Sequence, residues 1–361
     1  MRAPATTILG PDDRALDELC QHLAALAARP GADSTWPKAQ LDLCRSYGVF
    51  EWFVSAEWGG QGWRDVDVIR AYLRLSSACL LTAFVLTQRT GACRRIGLSE
   101  NDWARSQLLP RLLRGEVFAT LGVSHLTTSR RHLSQPVLRA RATSGGYVLD
   151  GYTPWVTGAR HAEYVVVGAA LGDGQQILVA LPTSLPGVVI GDDLDLVALS
   201  GSATAEVRCD GVLVPREWLL NGPSANVVRQ GLGARTGGLQ TTTLALGLAT
   251  QAIEFMAAEG ANRPVVAETA ARLRRRLDAE VAELLRAAAG GPADEPGALR
   301  LRADALVLEA TRAALAAAKG SGFLRGHPAG RWAQQALFFL VWSVPNAVID
   351  AELERIAVDD P

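Results

Sequence analysis

The chain has 361 residues, 48% of them hydrophobic and 20% charged, and its formal net charge is −1. This balance suits a soluble globular protein with a large core and lacks the basic stripe that nucleic-acid binding demands. Cysteines at 20, 44, 79, 93 and 209 form no CxxC pair and no His/Cys cluster, which argues against a zinc site or a disulfide framework.

No apolar run near Met1 reads as a signal peptide. The run Leu337–Val344 is cut by Pro345 and is too short to span a bilayer. The expected location is therefore cytoplasmic, with no membrane and no nucleic acid as partner.

In chain order, Leu16, Leu19, Leu23 and Leu26 fall on one helix face, and Val66–Leu86 and Asp102–Arg114 read as helices too. Ser55–Gly62 is a glycine-rich turn. From Phe118 to about Gly222 the pattern becomes β: Val137–Ala142, Tyr147–Leu149, Tyr164–Ala169, Ile177–Leu181 and Thr204–Cys209, punctuated by Gly, Pro and Asp. Helical periodicity returns after Ala225. Thr241–Ala258 is apolar enough to be buried, and Ala267–Ala289 and Leu299–Ala318 are amphipathic, with the loop Gly290–Gly297 between them. Ala336–Val344 and Ile349–Ile356 close the chain. The expected organisation is an all-α domain over 1–117, a β domain over 118–224 and a helical bundle over 225–361.

One stretch stands out chemically. Gly145 to Gly151 reads as a hairpin leading into Trp155-Val156-Thr157-Gly158-Ala159. It brings an indole and a hydroxyl, two residues apart, to one place, as a flat heteroaromatic cofactor requires. The bland alternative is an ordinary core tryptophan.

Several stretches together resemble the acyl-CoA dehydrogenase family. Ser55–Gly62 is similar to its "P-E-x-G-G-x-G" turn. Leu109-Pro110 with Gly115-Glu116 is similar to "L-P-x-L-x-x-G-E". Gly151–Ala159 is similar to "G-x-K-x-W-I-T-N-A", with Thr153 in place of the Lys. Leu213-Val214-Pro215 is similar to "V-x-V-P", and Gly320-Ser321-Gly322-Phe323 with Pro328 to "G-x-G-[FY]-x-x-x-x-P". The resemblance runs through nearly the whole chain, in order.

The resemblance implies an α+β fold with an N-terminal helical domain, a small middle β-sandwich or barrel and a C-terminal four-helix bundle. It implies a flavin, FAD in the first instance, with FMN or reduced flavin as alternatives. Trp155 and Thr157 match the family's flavin contacts, and Thr127 stands for its "T-E-P" threonine. Gly320 and Gly322 match a turn that serves the neighbouring subunit's cofactor in a homodimer or tetramer; alternatively they end a helix. Arg263 is either a diphosphate contact or a solvated loop residue. His125 is a candidate acid or base beside the flavin edge, or a strand-end residue.

The family abstracts a proton from an acyl thioester with a carboxylate while hydride passes to flavin N5. Ser343 and Gln240 stand at the two positions where that Glu occurs, and Gln334-Gln335-Ala336 replaces "R-D-A". No catalytic residue is therefore assigned. Three functions remain open: an acyl thioester dehydrogenase with an unconventional base and a separate electron acceptor, a monooxygenase that forms a C4a-hydroperoxide on reduced flavin supplied by a flavin reductase, and a non-catalytic subunit paired with a homologous one.

Overall fold

In the computed structural model the described residues are 6–127, 137–229, 233–291, 297–342, 344, 348–350 and 353–354, without the side chains of 229 and 233–238. Five helices lead: α1 (Arg14–Ala27), α2 (Lys38–Ser46), α3 (Asp65–Ala78), α4 (Leu80–Gly97) and α5 (Asp102–Leu113). Two start on side-chain caps. The Asp13 carboxylate accepts the Ala15 N–H at 2.9 Å and Asn101 accepts the Ala104 N–H at 2.9 Å. The span Val66–Leu86, expected as one helix, is broken at Cys79, whose backbone is extended (φ −159°, ψ 100°). The break lets α4 turn into the core, where it is buried on nearly every side. A helix buried all round carries no one-sided hydrophobic pattern, so its limits are hard to see in sequence.

Eight strands follow: β1 (Ala119–Gly122), β2 (Leu138–Thr143), β3 (Gly146–Val156), β4 (Tyr164–Ala170), β5 (Gln176–Pro182), β6 (Val188–Ile190), β7 (Ala205–Pro215) and β8 (Leu219–Ser224). A single turn of helix, α6 (Ser124–Thr127), comes after β1. The sheet order is β6-β7-β3-β2-β4-β5-β8, with β1 parallel to β4. Inward side chains such as Leu149, Val165, Val167, Ile177, Val179 and Val207 form its own apolar core. The hairpin expected from Gly145 onward is made by β2 and β3, and β3 then continues through Gly151 to Val156.

The helical remainder holds α7 (Gly233–Glu259), α8 (Pro264–Ala288), α9 (Ala298–Ala318) and α10 (Pro328–Ala336). The helix expected from Ala336 falls earlier. Pro328 starts α10, where a missing N–H costs nothing, and Leu337–Leu340 is a short 3-10 turn. Ser343, Pro345, half of 349–356 and the centre of the 290–297 loop lie outside the described residues. No described helix is long and apolar enough to cross a membrane.

The bundle and the first helices share one core, because α7 packs against α3, α4, α8 and α9. Gly247 permits the closest approach. A Cβ there would stand 1.8 Å from Ser76 Oγ and 2.7 Å from the Leu73 carbonyl oxygen. Gly247→Ala is expected to destabilise the chain by about 2 kcal/mol through overpacking. Adding Ser76→Ala should recover only part of that loss, because the carbonyl remains. Urea unfolding of the two variants checks both statements.

Candidate cofactor site

The backbone of β3 decides how Trp155 and Thr157 are presented. Pairing of β3 with β7 slips between Thr153 and Val156, the mark of a β-bulge. The bulge turns Trp155 outward while Thr153, Pro154, Val156 and Thr157 stay buried. Trp155 is 48% exposed and so is not a core tryptophan.

Thr157 is 4% exposed and lies inside a chain of hydroxyls. Its Oγ1 is 3.3 Å from Thr204 Oγ1, which is 2.8 Å from Ser202 Oγ. Thr120 of β1 donates to the Thr157 carbonyl at 2.7 Å. The Gly158 N–H bonds the carbonyls of Ser202 and Ala203 at 2.9 and 3.1 Å. The loop that carries these partners is strained. Leu199 (φ 59°) and Ala203 (φ 48°) both occupy the left-handed region without being glycine. Each such residue costs on the order of 1–3 kcal/mol and persists only where its surroundings fix it.

Behind the strand, α6 packs against β3 and presents further polar groups. Thr127 Oγ1 donates back to the Ser124 carbonyl at 3.1 Å. Ser124 Oγ and Thr153 Oγ1 are buried and find no partner among the described residues. His125 is buried, and its Nε2 is 2.8 Å from the Gly168 carbonyl oxygen. A carbonyl only accepts, so Nε2 carries the proton and Nδ1 is the bare acceptor. Nδ1 is likewise without a partner among the described residues. Burial pushes the His125 pKa below its ordinary 6.5, and the bond to Gly168 offsets part of that. His125 is thus a neutral buried imidazole rather than a surface one.

The other sequence candidates lie elsewhere. Gly320 and Gly322 occupy the 3-10 turn Lys319–Phe323 after α9, packed on α9 and α10. Gly322 is buried, with no room for a Cβ between Ala318 and Leu315, whereas Gly320 is open to solvent. The Arg263 guanidinium donates to the Ala317 carbonyl at 2.6 Å, so it caps α9. His327 caps α10, its Nδ1 accepting the Ala329 N–H at 3.2 Å. Gln240 lines a cleft with Asp65, Ile69, Tyr72 and Arg94 between α7 and the first helices. Ser343 lies outside the described residues. Next to Ser343, Trp342 stacks on Phe338 and meets Phe84 edge-on, and Arg300 of α9 holds the carbonyls of Phe339 and Trp342 at 2.8 and 3.2 Å.

Sequence reasoning missed Ser124, Ser202, Thr204 and Asp33. The three hydroxyls in the small-residue run Ser200–Thr204 are the available signal for the middle pair; Asp33 gives none. A half-exposed indole, a buried hydroxyl chain beside it and a Ser124 Oγ without a partner among the described residues fit a planar ring with a polar edge.

No family profile matches the chain. Over 208 residues it is 30% identical to the probable acyl-CoA dehydrogenase YngJ of Bacillus subtilis (strain 168), covering 55% of this chain and 53% of that one. Over 192 residues it is 26% identical to the oxygenase component of the FADH(2)-dependent resorcinol hydroxylase of Rhizobium sp. (strain MTP-10005), covering 52% and 44%. The chain spans about half the length of the curated relatives it matches. In fold it is similar to butyryl-CoA dehydrogenase from Megasphaera elsdenii, with TM-score 0.80 and 18% identity over 98% of this chain and 100% of that one. The chain has the fold of the acyl-CoA dehydrogenases, and the curated relatives it is similar to include acyl-CoA dehydrogenases and the oxygenase component of a FADH(2)-dependent hydroxylase.

The buried His125 sets a pH dependence. Its folded pKa is depressed, so between that value and 6.5 the unfolded chain binds more protons. The stability it allows is complete above 6.5 and is lost as pH falls toward the folded value. His125→Gln, which keeps a donor for Gly168, should show a shallower acid loss. His161, also lowered by burial, leaves a residual slope. Thermal melts from pH 7 to pH 5 on both proteins test this.

Proposed function

We propose that the protein is a flavin-dependent oxidoreductase that oxidises the Cα–Cβ bond of an acyl thioester. The observation that carries this reading is the outward indole of Trp155 beside the Thr157–Thr204–Ser202 hydroxyl chain. When bound, the flavin supplies a two-electron acceptor. Trp155 would cover one face of its ring, and the Thr157 hydroxyl would donate to a ring heteroatom. Ser124, whose Oγ lacks a partner among the described residues, and Thr127 would serve the polar edge of the ring. FAD is the proposed form.

The reading includes three domains, 1–117, 118–224 and 225–361, with the cofactor between the second and the third. It also includes a homodimer or tetramer in which the Gly320–Gly322 turn reaches the neighbour's cofactor. The exposed Phe323 and Leu324 beside that turn, 88% and 68% accessible, support a second copy as their cover.

A second reading has a specific motive. Gln240 is an amide and Ser343 a hydroxyl, and neither accepts a proton at neutral pH as a carboxylate does. A monooxygenase that uses reduced flavin from a separate reductase needs no such base. The resemblance to a FADH(2)-dependent hydroxylase component supports this reading.

One experiment separates them. The protein is reconstituted with FAD or FMN, the retained flavin is identified by mass, and acyl-CoA is added without oxygen. Bleaching of the yellow band is the outcome expected from the first reading. No bleaching, with oxygenation of an aromatic substrate once a flavin reductase and oxygen are supplied, would replace it with the second.

A further inference from the structure

The segment between α1 and α2 crosses to two distant parts of the chain, and one carboxylate touches both. Asp33 Oδ2 accepts the Leu199 N–H at 2.9 Å, and Asp33 Oδ1 accepts from Gln335 Nε2 of α10 at 2.6 Å. Leu199 is the first of the two left-handed residues in the loop whose Thr204 meets Thr157. The rest of the segment seats against the same loop and the turn after Thr157. A Cβ on Gly201 would stand 2.5 Å from the Thr35 carbonyl oxygen, so the two backbones are in direct contact. Trp36 stacks on His161 with centroids 4.1 Å apart and meets Phe118 edge-on.

We infer that Asp33 is a positioning residue for the cofactor site: its carboxylate locks the strained 199–203 loop and ties that loop to α10. This inference rests on the reading of Thr157 as a flavin contact. The physical reason is directional. A left-handed Leu is not a resting conformation, so the loop keeps its shape only while something holds the Leu199 amide. A carboxylate has two acceptor oxygens and satisfies both donors at once, whereas an asparagine offers a single acceptor oxygen. Ser202 and Thr204 follow the loop, and Thr157 follows Thr204. The buried Gln335 lies one turn before the Leu337–Leu340 segment, so the same carboxylate fixes the sheet side and the bundle side together.

The hydrogen-bond polarity gives a test by exchange. Asp33→Asn removes one acceptor. Adding Gln335→Glu restores both bonds with reversed roles: the new amide oxygen at position 33 takes the Leu199 N–H, and the amide nitrogen donates to the carboxylate introduced at position 335. The readouts are hydrogen exchange of the Leu199 amide in flavin-free protein and flavin affinity by titration, with far-ultraviolet dichroism as the folding control. In Asp33→Asn the Leu199 amide should exchange about tenfold faster and flavin affinity should fall about tenfold, the size of one lost charge-assisted bond. The double variant should return both values to within about twofold of wild type, allowing for the context dependence of such bonds.

Unchanged exchange at Leu199 in Asp33→Asn would overturn the inference. So would faster exchange with unchanged flavin affinity. If Asp33→Asn is too unstable to study, the exchanged pair decides: wild-type protection at Leu199 supports the inference and its loss overturns it. Wild-type protein that takes up no flavin is a different failure, because it refutes the proposed function while the exchange data still report on the loop.

Discussion

A buried hydroxyl must have a partner, and the Thr157 hydroxyl finds its own on a loop that would not hold its shape alone. Leu199 and Ala203 occupy backbone conformations that disfavour any side chain. The loop is kept there from outside, by Asp33 on the Leu199 amide and by the backbone of Thr35 against Gly201. It is also kept from inside, by the Gly158 amide on two of its carbonyls. That constraint produces the geometry of the candidate site: Thr204 in reach of Thr157, Thr120 bracing the strand end, and a bulge in β3 with Trp155 turned outward. Local strain is tolerated because contacts from three parts of the chain fix it.

The parts of this arrangement that are local in sequence are legible there. Trp155 and Thr157 stand out because a strand brings residues two apart to one region, and the helical and β-rich thirds separate because their periodicities differ. Contacts across long distances are not legible. Asp33 meets Leu199 across 166 positions and Gln335 across 302, and an isolated Asp after a helix has no pattern that announces such partners. The short strands β1, β6 and β8 escape notice because three to six residues give too few alternations to read. Cys79 breaks α3 from α4 without Gly or Pro, so nothing marks the boundary. Thr127 is the visible hydroxyl after β1, yet Ser124 is the one with an unpartnered oxygen among the described residues. The Thr127 hydroxyl is taken up by the Ser124 carbonyl, a local bond that sequence does not announce.

The titratable and polar groups around the candidate site are mostly neutral. Gln240 has the outline of a glutamate but faces a cleft with the Asp65–Arg94 ion pair, and its amide takes no proton. His125 is a buried neutral imidazole whose tautomer is fixed by Gly168, but its other nitrogen is sealed from solvent. Near the carboxyl end, Arg300 holds the carbonyls of Phe339 and Trp342 while pairing with Asp304. Phe84 meets the rings of Phe338 and Trp342 edge-on beside that clamp. The fold of the acyl-CoA dehydrogenases is thus present with neutral groups at Gln240 and His125.

The central claim is that the outward indole is a stacking face for a planar ring, and it is tested most directly by titrating oxidised and reduced FAD and FMN into wild-type protein and into Trp155→Ala. Saturable binding of one of these flavins, weakened about tenfold or more without the indole, is the result the account predicts. Binding that is indifferent to the loss of Trp155, or no binding of any of the four, would contradict it.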